Sequence, residues 1–290
     1  MNELAFFVQQ IINGLSIGII YALMAVGLTL IFSIMDVLNF AHGELFMLGA
    51  YFCYWSIDLI GLPFMLSLVA GILVVAFISM VLERVVFRPI RGNILASIMA
   101  SLGLMFVLQT LAAVAWGTIS RSMHSPFKAS VLRWGGLFIP YDRLFAIIAS
   151  LCLFIGLWWF IQRTRMGKAM RATSLNREAA VIKGINTDRV YMVTFTLAGA
   201  LAAAAGGILG SIYSVAPDMG LLPLLKSIAV IIVGGLGNIP AAMVGGCLIG
   251  LSEALGAAYL SANLRDIYCF VILALVLLVR PQGLLYGWKR

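Results

Sequence analysis

Charged residues divide this chain into long apolar stretches joined by short polar connections. Leu4–Met35 contains no Lys, Arg, Asp or Glu and is long enough for a tilted or broken membrane helix, since about 20 apolar residues cross the hydrocarbon. Val37–Ile57 is a second apolar run, interrupted by His42 and Glu44. Leu59–Leu82 and Gly92–Ser120 contain the third and fourth spans, Leu144–Gln162 is the fifth, and Val190–Ala216 contains the sixth. Ser227–Leu260 is too long for one span, and the turn-rich Gly234-Gly-Leu-Gly-Asn-Ile-Pro240 divides it into a short segment beginning near Pro223 and a fuller one. Ser261–Val279 is the last, with Arg265 and Asp266 at its outer end. The pattern predicts an all-α, polytopic integral membrane bundle of about eight or nine transmembrane helices. Residues 1–290 form a single transmembrane domain, with a broken or interrupted helix around residues 33–45.

Composition agrees: 63% of residues are hydrophobic, 10% are charged and the mean hydropathy is +1.08, against about 25% charged in soluble domains. The net charge of +8 raises the question of nucleic acid, but basic–aromatic stripes are missing and topology accounts for the basic residues. Arg84, Arg88 and Arg91 follow the third span, seven Lys and Arg follow the fifth, and Arg280, Lys289 and Arg290 end the chain, thirteen of nineteen on one side. Four more lie between Arg121 and Arg143, on the other side. The positive-inside rule then makes the C-terminus cytoplasmic and, with nine spans, the N-terminus external. Met1-Asn-Glu3 supplies no basic n-region, so the first apolar run reads as a retained span. Cys53, Cys152, Cys247 and Cys269 lie singly in apolar runs, as buried free thiols and not as a disulfide framework or metal site.

The longest strongly charged piece is the loop of about residues 163–189, with Arg163, Arg165, Lys168, Arg171, Arg177, Lys183 and Arg189 against Glu178 and Asp188. A charge at the hydrocarbon centre costs roughly 2.5–3.5 kcal/mol on insertion scales, so this loop is aqueous. Within it Asn176 is placed as an N-cap, Glu178 falls in the first helical turn and Gly184 is a helix stop. The short helix would present an Ala179–Ala180 face that another protein's surface can approach closely, or it is an incidental helix in a solvated basic loop.

Inside the apolar region, Asp36-Val-Leu-Asn-Phe-Ala-His-Gly-Glu44 gathers Asp36, Asn39, His42 and Glu44 within nine residues. Asn39 or Asp36 can cap the second helix, on which Asn39 and His42 would share a face. Two readings stand: these groups line a translocation path, as ionisable residues in membranes commonly do, or they only cap and pin two helices. Glu253 lies deep in an apolar run and needs a partner or a cavity, whereas Lys226 sits near an interface and can snorkel. Gly234–Gly237 reads as a turn, because the phosphate-loop pattern is missing; an energised transporter would need its ATPase on another chain. No catalytic constellation emerges from the two histidines, and His124 falls in the outer loop, solvated. Gly199-x-x-x-Ala203, Gly206-x-x-x-Gly210, Ala241-x-x-x-Gly245 and Gly246-x-x-x-Gly250 read as helix-packing spacings.

Glu178-Ala-Ala-x-x-x-Gly184 resembles the loop by which ATP-binding-cassette permeases dock on their ATPases, although the Ile-x-Leu-Pro continuation is not seen after Gly184. Nearly the whole chain resembles branched-chain amino-acid ABC importer permeases of the LivH type. The resemblance is carried by Gly27-Leu-Thr-Leu-Ile-Phe32, Asn39-Phe-Ala-His-Gly-Glu44, Met47-Leu-Gly-Ala-Tyr51, Lys183-Gly-Ile185, Leu197-Ala-Gly199, Gly234-Gly-Leu-Gly237, Gly245-Gly246, Glu253 and Arg280-Pro-Gln-Gly-Leu284. It implies a permease of the bacterial inner membrane that assembles with a second, LivM-type permease, two ATPase subunits and a periplasmic substrate-binding protein. ATP and Mg would be bound by the ATPase, with no cofactor on this chain. It implies a docking loop at Glu178, Ala179, Ala180 and Gly184, while the intramembrane polar residues themselves make Asn39, His42, Glu44 and Glu253 the candidate path. A secondary carrier or channel for a small polar solute is the alternative, and it leaves the docking loop without a role.

Overall fold

The computed structural model describes residues 3–285 except 124, 126, 128–130, 135 and 136. His124, Lys128, Lys289 and Arg290 thus lie outside the described residues. Eleven α-helices dominate: α1 Glu3–Met35, α2 His42–Asp58, α3 Phe64–Leu82, α4 Ile94–Trp116, α5 Tyr141–Arg163, α6 Arg165–Leu175, α7 Arg177–Ile182, α8 Thr187–Ile212, α9 Leu221–Gly234, α10 Ile239–Tyr259 and α11 Arg265–Val279. A π-helical turn, Glu83–Phe87, extends α3. Two antiparallel pairs are the strands among the described residues: β1 Arg121–Ser122 with β4 Ser214–Val215, and β2 Val131–Trp134 with β3 Leu137–Pro140.

Among the described residues seven helices are long and apolar enough to cross a bilayer: α1, α3 with its extension, α4, α5, α8, α10 and α11 with the short 3-10 turn before it. The chain is a multi-pass membrane bundle. One face carries the ends of α3 and α5 with α6, α7 and Arg280, and is called here the basic face; the strand pairs lie at the opposite face.

The bundle is organised around α1, which is apolar on every side; 89% of its most apolar window is buried. It packs on α10 and α8. Small residues set these distances, because lipid tails give helices no hydrophobic reason to associate and close contact must replace it. A Cβ added to Gly246 or Gly250 would collide with α1 at Ala22 or Gly14–Gly18, and one added to Gly49 or Gly206 would collide across the α2–α8 contact. All four expected small-residue spacings lie on the packed helices α8 and α10.

Two helices stop short. At 1.5 Å per residue, the 17 residues of α2 and the 14 of α9 span about 25 and 21 Å, against a hydrocarbon core of about 30 Å. Their N-termini meet: Gly43 lies against the Gly220 backbone, where a Cβ would come within 2.6 Å of the Gly220 carbonyl oxygen. The meeting point lies at mid-depth, because the neighbouring His42 contacts Met24 in the middle of α1's buried stretch, Gly14–Ile34. From there α2 runs to the opposite face and α9 to the basic face. Non-helical lead-ins, residues 36–41 and 213–220, bring the chain to that depth and complete the alternation that the eight or nine expected crossings require.

The Gly234–Asn238 turn separates α9 from α10, with Gly235 and Gly237 at φ of 120° and 81°. Asn238 caps α10 by accepting from the Ala241 N–H at 3.2 Å. The end of the chain folds back on this turn, the Leu284 N–H donating to the Val233 carbonyl at 2.9 Å. The Arg280-Pro-Gln-Gly-Leu284 motif is therefore a strap under the α9–α10 hairpin.

Candidate functional site

The helix break falls where the sequence indicated. Helix α1 ends at Met35, and Asp36 takes φ of 54°, the left-handed region that ends helices but is uncommon for residues other than glycine. Asn39 precedes α2 instead of sharing its face with His42, a correction to the expected geometry. Its Oδ1 accepts from the Ala41 N–H at 3.1 Å, a local turn that competes with the helix, and α2 has no side-chain cap. Asp36 likewise closes α1 and does not cap α2.

His42 is fully buried, its Nε2 3.2 Å from the Met24 carbonyl oxygen. A carbonyl only accepts, so Nε2 carries the proton and Nδ1 is a bare acceptor; it has no partner. Gly27 makes room for this ring, since a Cβ there would lie 3.1 Å from Nε2. Asn39 Nδ2, Glu44 Oε2 and, two turns along α2, the Tyr51 hydroxyl are also buried without hydrogen-bond partners. Each such group costs about 1–3 kcal/mol if it stays unsatisfied. Three within residues 39–44 mark a place built to be wetted or to receive a polar guest, at the depth where the α2 and α9 N-termini point their partial positive charge.

Glu253 belongs elsewhere. Lys226 is buried, a correction to the expected snorkelling: its Nζ lies 2.8 Å from Glu253 Oε1 and 2.6 Å from Asp266 Oδ1. The Tyr21 hydroxyl lies at 3.3 Å from the same nitrogen, and Arg265 Nε at 3.8 Å from Glu253 Oε2. The Lys226–Glu253 approach is off the hydrogen-bonding direction, so both Glu253 oxygens lack a hydrogen bond despite the close charge. This cluster ties α9, α10 and α11 to α1, and none of its members is an α2 polar residue.

The charged loop folds as two short helices. Thr164 caps α6 through the Gly167 N–H at 2.9 Å, and Arg171 holds the end of α5 through the Ile161 carbonyl at 2.6 Å. Asn176 ends α6 and caps α7, accepting from the Ala179 N–H at 2.9 Å. Gly184, at φ of 79°, closes α7 by a Schellman motif: the Ile185 N–H donates to Ala180 O at 3.0 Å and the Gly184 N–H to Val181 O at 2.9 Å. Only half of the expected Ala-Ala face is presented. Ala180 is buried against the bundle because it lies on the inward side of this single turn, while Glu178, Ala179, Val181 and Ile182 are exposed. Leu175 and Ile182, 86% and 84% exposed, are large apolar groups on a loop too charged for lipid.

The family model described as branched-chain amino acid transport system / permease component matches residues 10–280. The chain belongs to that family. Among curated members it is 33% identical to the high-affinity branched-chain amino acid transport system permease protein BraD of Pseudomonas aeruginosa, over 98% of this chain and 97% of that one. It is 34% identical to the permease protein LivH of the corresponding system in Escherichia coli K12, with the same coverage. Among solved structures, a chain of PsaBC from Streptococcus pneumoniae in complex with Fab superposes with a TM-score of 0.51 at 13% identity, over 96% of this chain and 94% of that one, and so shares the fold.

The permease has one charged assembly that sequence reasoning missed, having counted its arginines only for topology. Arg88 pairs with Asp188 at 2.5 Å, and Arg91 pairs with both Asp188 and the buried Glu83. Arg91 and Arg177 both lie over the Tyr191 ring, at 4.7 and 5.6 Å from its centroid. The end of α3, the start of α8 and the α6–α7 loop are thereby fastened together. The i, i+3 spacing of Arg88 and Arg91 beyond a carboxylate at the end of an apolar run was the available signal.

Proposed function

We propose that the chain is the membrane-spanning permease subunit of an ABC importer for branched-chain or related amino acids. Residues 1–290 act as one transmembrane domain in a bacterial inner membrane, with the basic face and the C-terminus in the cytoplasm. Its partners are a second permease of the LivM type, two ATPase subunits that bind ATP and Mg, and a periplasmic substrate-binding protein. Glu178, Ala179, Ala180 and Gly184 form the ATPase-docking loop, Ala180 seating the helix and the exposed residues meeting the ATPase. The observation that carries the reading is the group of unpaired Asn39, His42 and Glu44 atoms at the α1–α2 break. Helix N-termini and a carboxylate at mid-depth complement the carboxylate and ammonium of an amino acid. Glu253 completes the proposed path only indirectly, by fixing α9 through Lys226.

The test has two parts. A tagged chain is extracted in mild detergent and its co-purifying proteins are identified by mass spectrometry; an ATPase and a second permease are expected. Cells expressing the whole complex should then take up labelled leucine in an ATP-dependent manner. A chain that purifies alone and moves a solute in liposomes without ATP would make it a secondary carrier or channel.

A further inference from the structure

A cavity of ≈ 330 Å³ opens at the basic face, bounded by the α1–α2 connection, the turn before α4, the α6–α7 junction and the start of α8. That volume lies at the lower end of the range for small-molecule sites. Its wall carries charge of both signs. Asp36, Arg91 and Arg177 all line it, the two arginines gathered at the Tyr191 ring. Arg91 is committed to Glu83 and Asp188, but neither Asp36 nor Arg177 has an ion-pair partner among the described residues. Asn93 at the α4 N-terminus also lines the cavity, adding the helix's positive end. The remaining lining includes the buried apolar side chains Ile34, Val37 and Phe87.

An acid, a guanidinium and an apolar wall around one small space form the complement of an aliphatic α-amino acid. A simple anion would leave Asp36 facing it, and a simple cation would meet two arginines. We infer that this cavity is a second amino-acid site, distinct from the unpaired group at mid-depth, occupied from the side to which substrate is released. Resting on the proposed import of branched-chain amino acids, the inference gives the accumulated product a seat between the docking loop and the helix break. Arg177 takes the carboxylate, Asp36 the ammonium, and Ile34, Val37 and Phe87 the side chain. Occupancy ties the α6–α7 loop to the α1–α2 connection and slows the next cycle.

Ser174 lines the cavity and is exposed, which makes it a reporter position. The full chain carrying Ser174→Cys, with exposed Cys152 replaced by alanine, is placed in nanodiscs free of phosphatidylethanolamine. Its labelling rate by a charged thiol reagent is measured against L-leucine. Leucine should slow labelling several-fold, while isocaproate, lacking the ammonium, and leucinamide, lacking the carboxylate, slow it much less. Arg177→Gln or Asp36→Asn should abolish protection, and Lys183→Gln, on the same loop but outside the cavity, should retain it. No slowing by leucine, equal slowing by isocaproate, or protection that survives both cavity substitutions overturns the site. Slowing that appears only with phosphatidylethanolamine would make the zwitterion a lipid headgroup and overturn it too. Leucine uptake by the whole complex without protection rejects this cavity alone, whereas loss of leucine uptake and of ATPase association rejects the proposed function.

Discussion

Removal of the Lys226 ammonium should be the most damaging single change outside the helix-packing glycines. Lys226 and Glu253 have side chains 4% and 1% exposed, whereas Asp266 is 54% exposed. Lys226→Met keeps the length and apolar stem but leaves Glu253 a buried charge without its 2.8 Å partner. Breaking a buried pair from one side costs about 3–5 kcal/mol, most of it the stranded charge. Arg265, 3.8 Å away and already bonded to the Tyr213 hydroxyl at 3.2 Å, can only partly replace the lysine, which sets the expectation near 3 kcal/mol. Lys226→Met/Glu253→Gln removes both charges and should recover most of that loss, since a neutral amide strands no charge. Asp266→Asn should cost less than about 1 kcal/mol, as expected of a water-screened partner. The assay is the temperature at which detergent-purified protein leaves the monodisperse gel-filtration peak. A single variant as resistant as the parent, or a double variant no better than the single, would refute the argument that the pair is buried and mutually dependent.

Three further outcomes follow from local geometry. Gly184→Val places a β-branched residue at φ of 79° with open space around its Cβ, so the roughly 1–2 kcal/mol cost is backbone strain alone; ATPase recovery should fall while membrane insertion stays normal. Asn176→Ala deletes the α7 cap, worth about 0.5–2 kcal/mol, and should speed amide exchange across Arg177–Ile182 without touching α5 or α8. His42→Ala should reduce leucine uptake at unchanged expression and unchanged assembly; uptake equal to the parent's would leave this ring as a pin between α2 and α1.

The sequence made the membrane helices legible because hydrocarbon penalises every charge, so charge-free windows and helices must nearly coincide. Leu4–Met35 against Glu3–Met35, and Leu144–Gln162 against Tyr141–Arg163, differ only at their ends. Caps at Asn176 and Gly184 were legible for a similar reason, being local chemistry decided within five residues. What hydropathy cannot encode is direction and depth. Nothing in Val37–Ile57 says that residues 37–41 stay out of the helix and that it waits until His42. Nothing in Lys226 tells snorkelling from burial until Glu253 and Asp266 arrive from 27 and 40 residues downstream. The pairing of Arg88 and Arg91 stays hidden by the same logic: a positive-inside count uses their charge and discards their partners.

The two kinds of charge placement assign different work to the two halves of the bundle. Wherever a buried carboxylate has a cation, as at Glu83–Arg91 and Glu253–Lys226, the same cation also reaches a second carboxylate on another helix, Asp188 or Asp266, and the cluster resists relative motion. At the α1–α2 break Asn39, His42 and Glu44 are instead left with unused valence beside a non-helical connection. A rigid frame would gain stability by satisfying those atoms or replacing them with apolar ones. Unpaired polar atoms at mid-depth, between two helix N-termini that diverge toward opposite faces, are what the proposed path requires. The arrangement therefore predicts an order of tolerance: apolar, volume-matched replacements at both members of the Lys226–Glu253 pair should preserve uptake, while the same treatment of Asn39 and Glu44 should raise thermal resistance and lower uptake. Uptake retained after Asn39→Leu/Glu44→Met, at equal expression, would remove the path from this break.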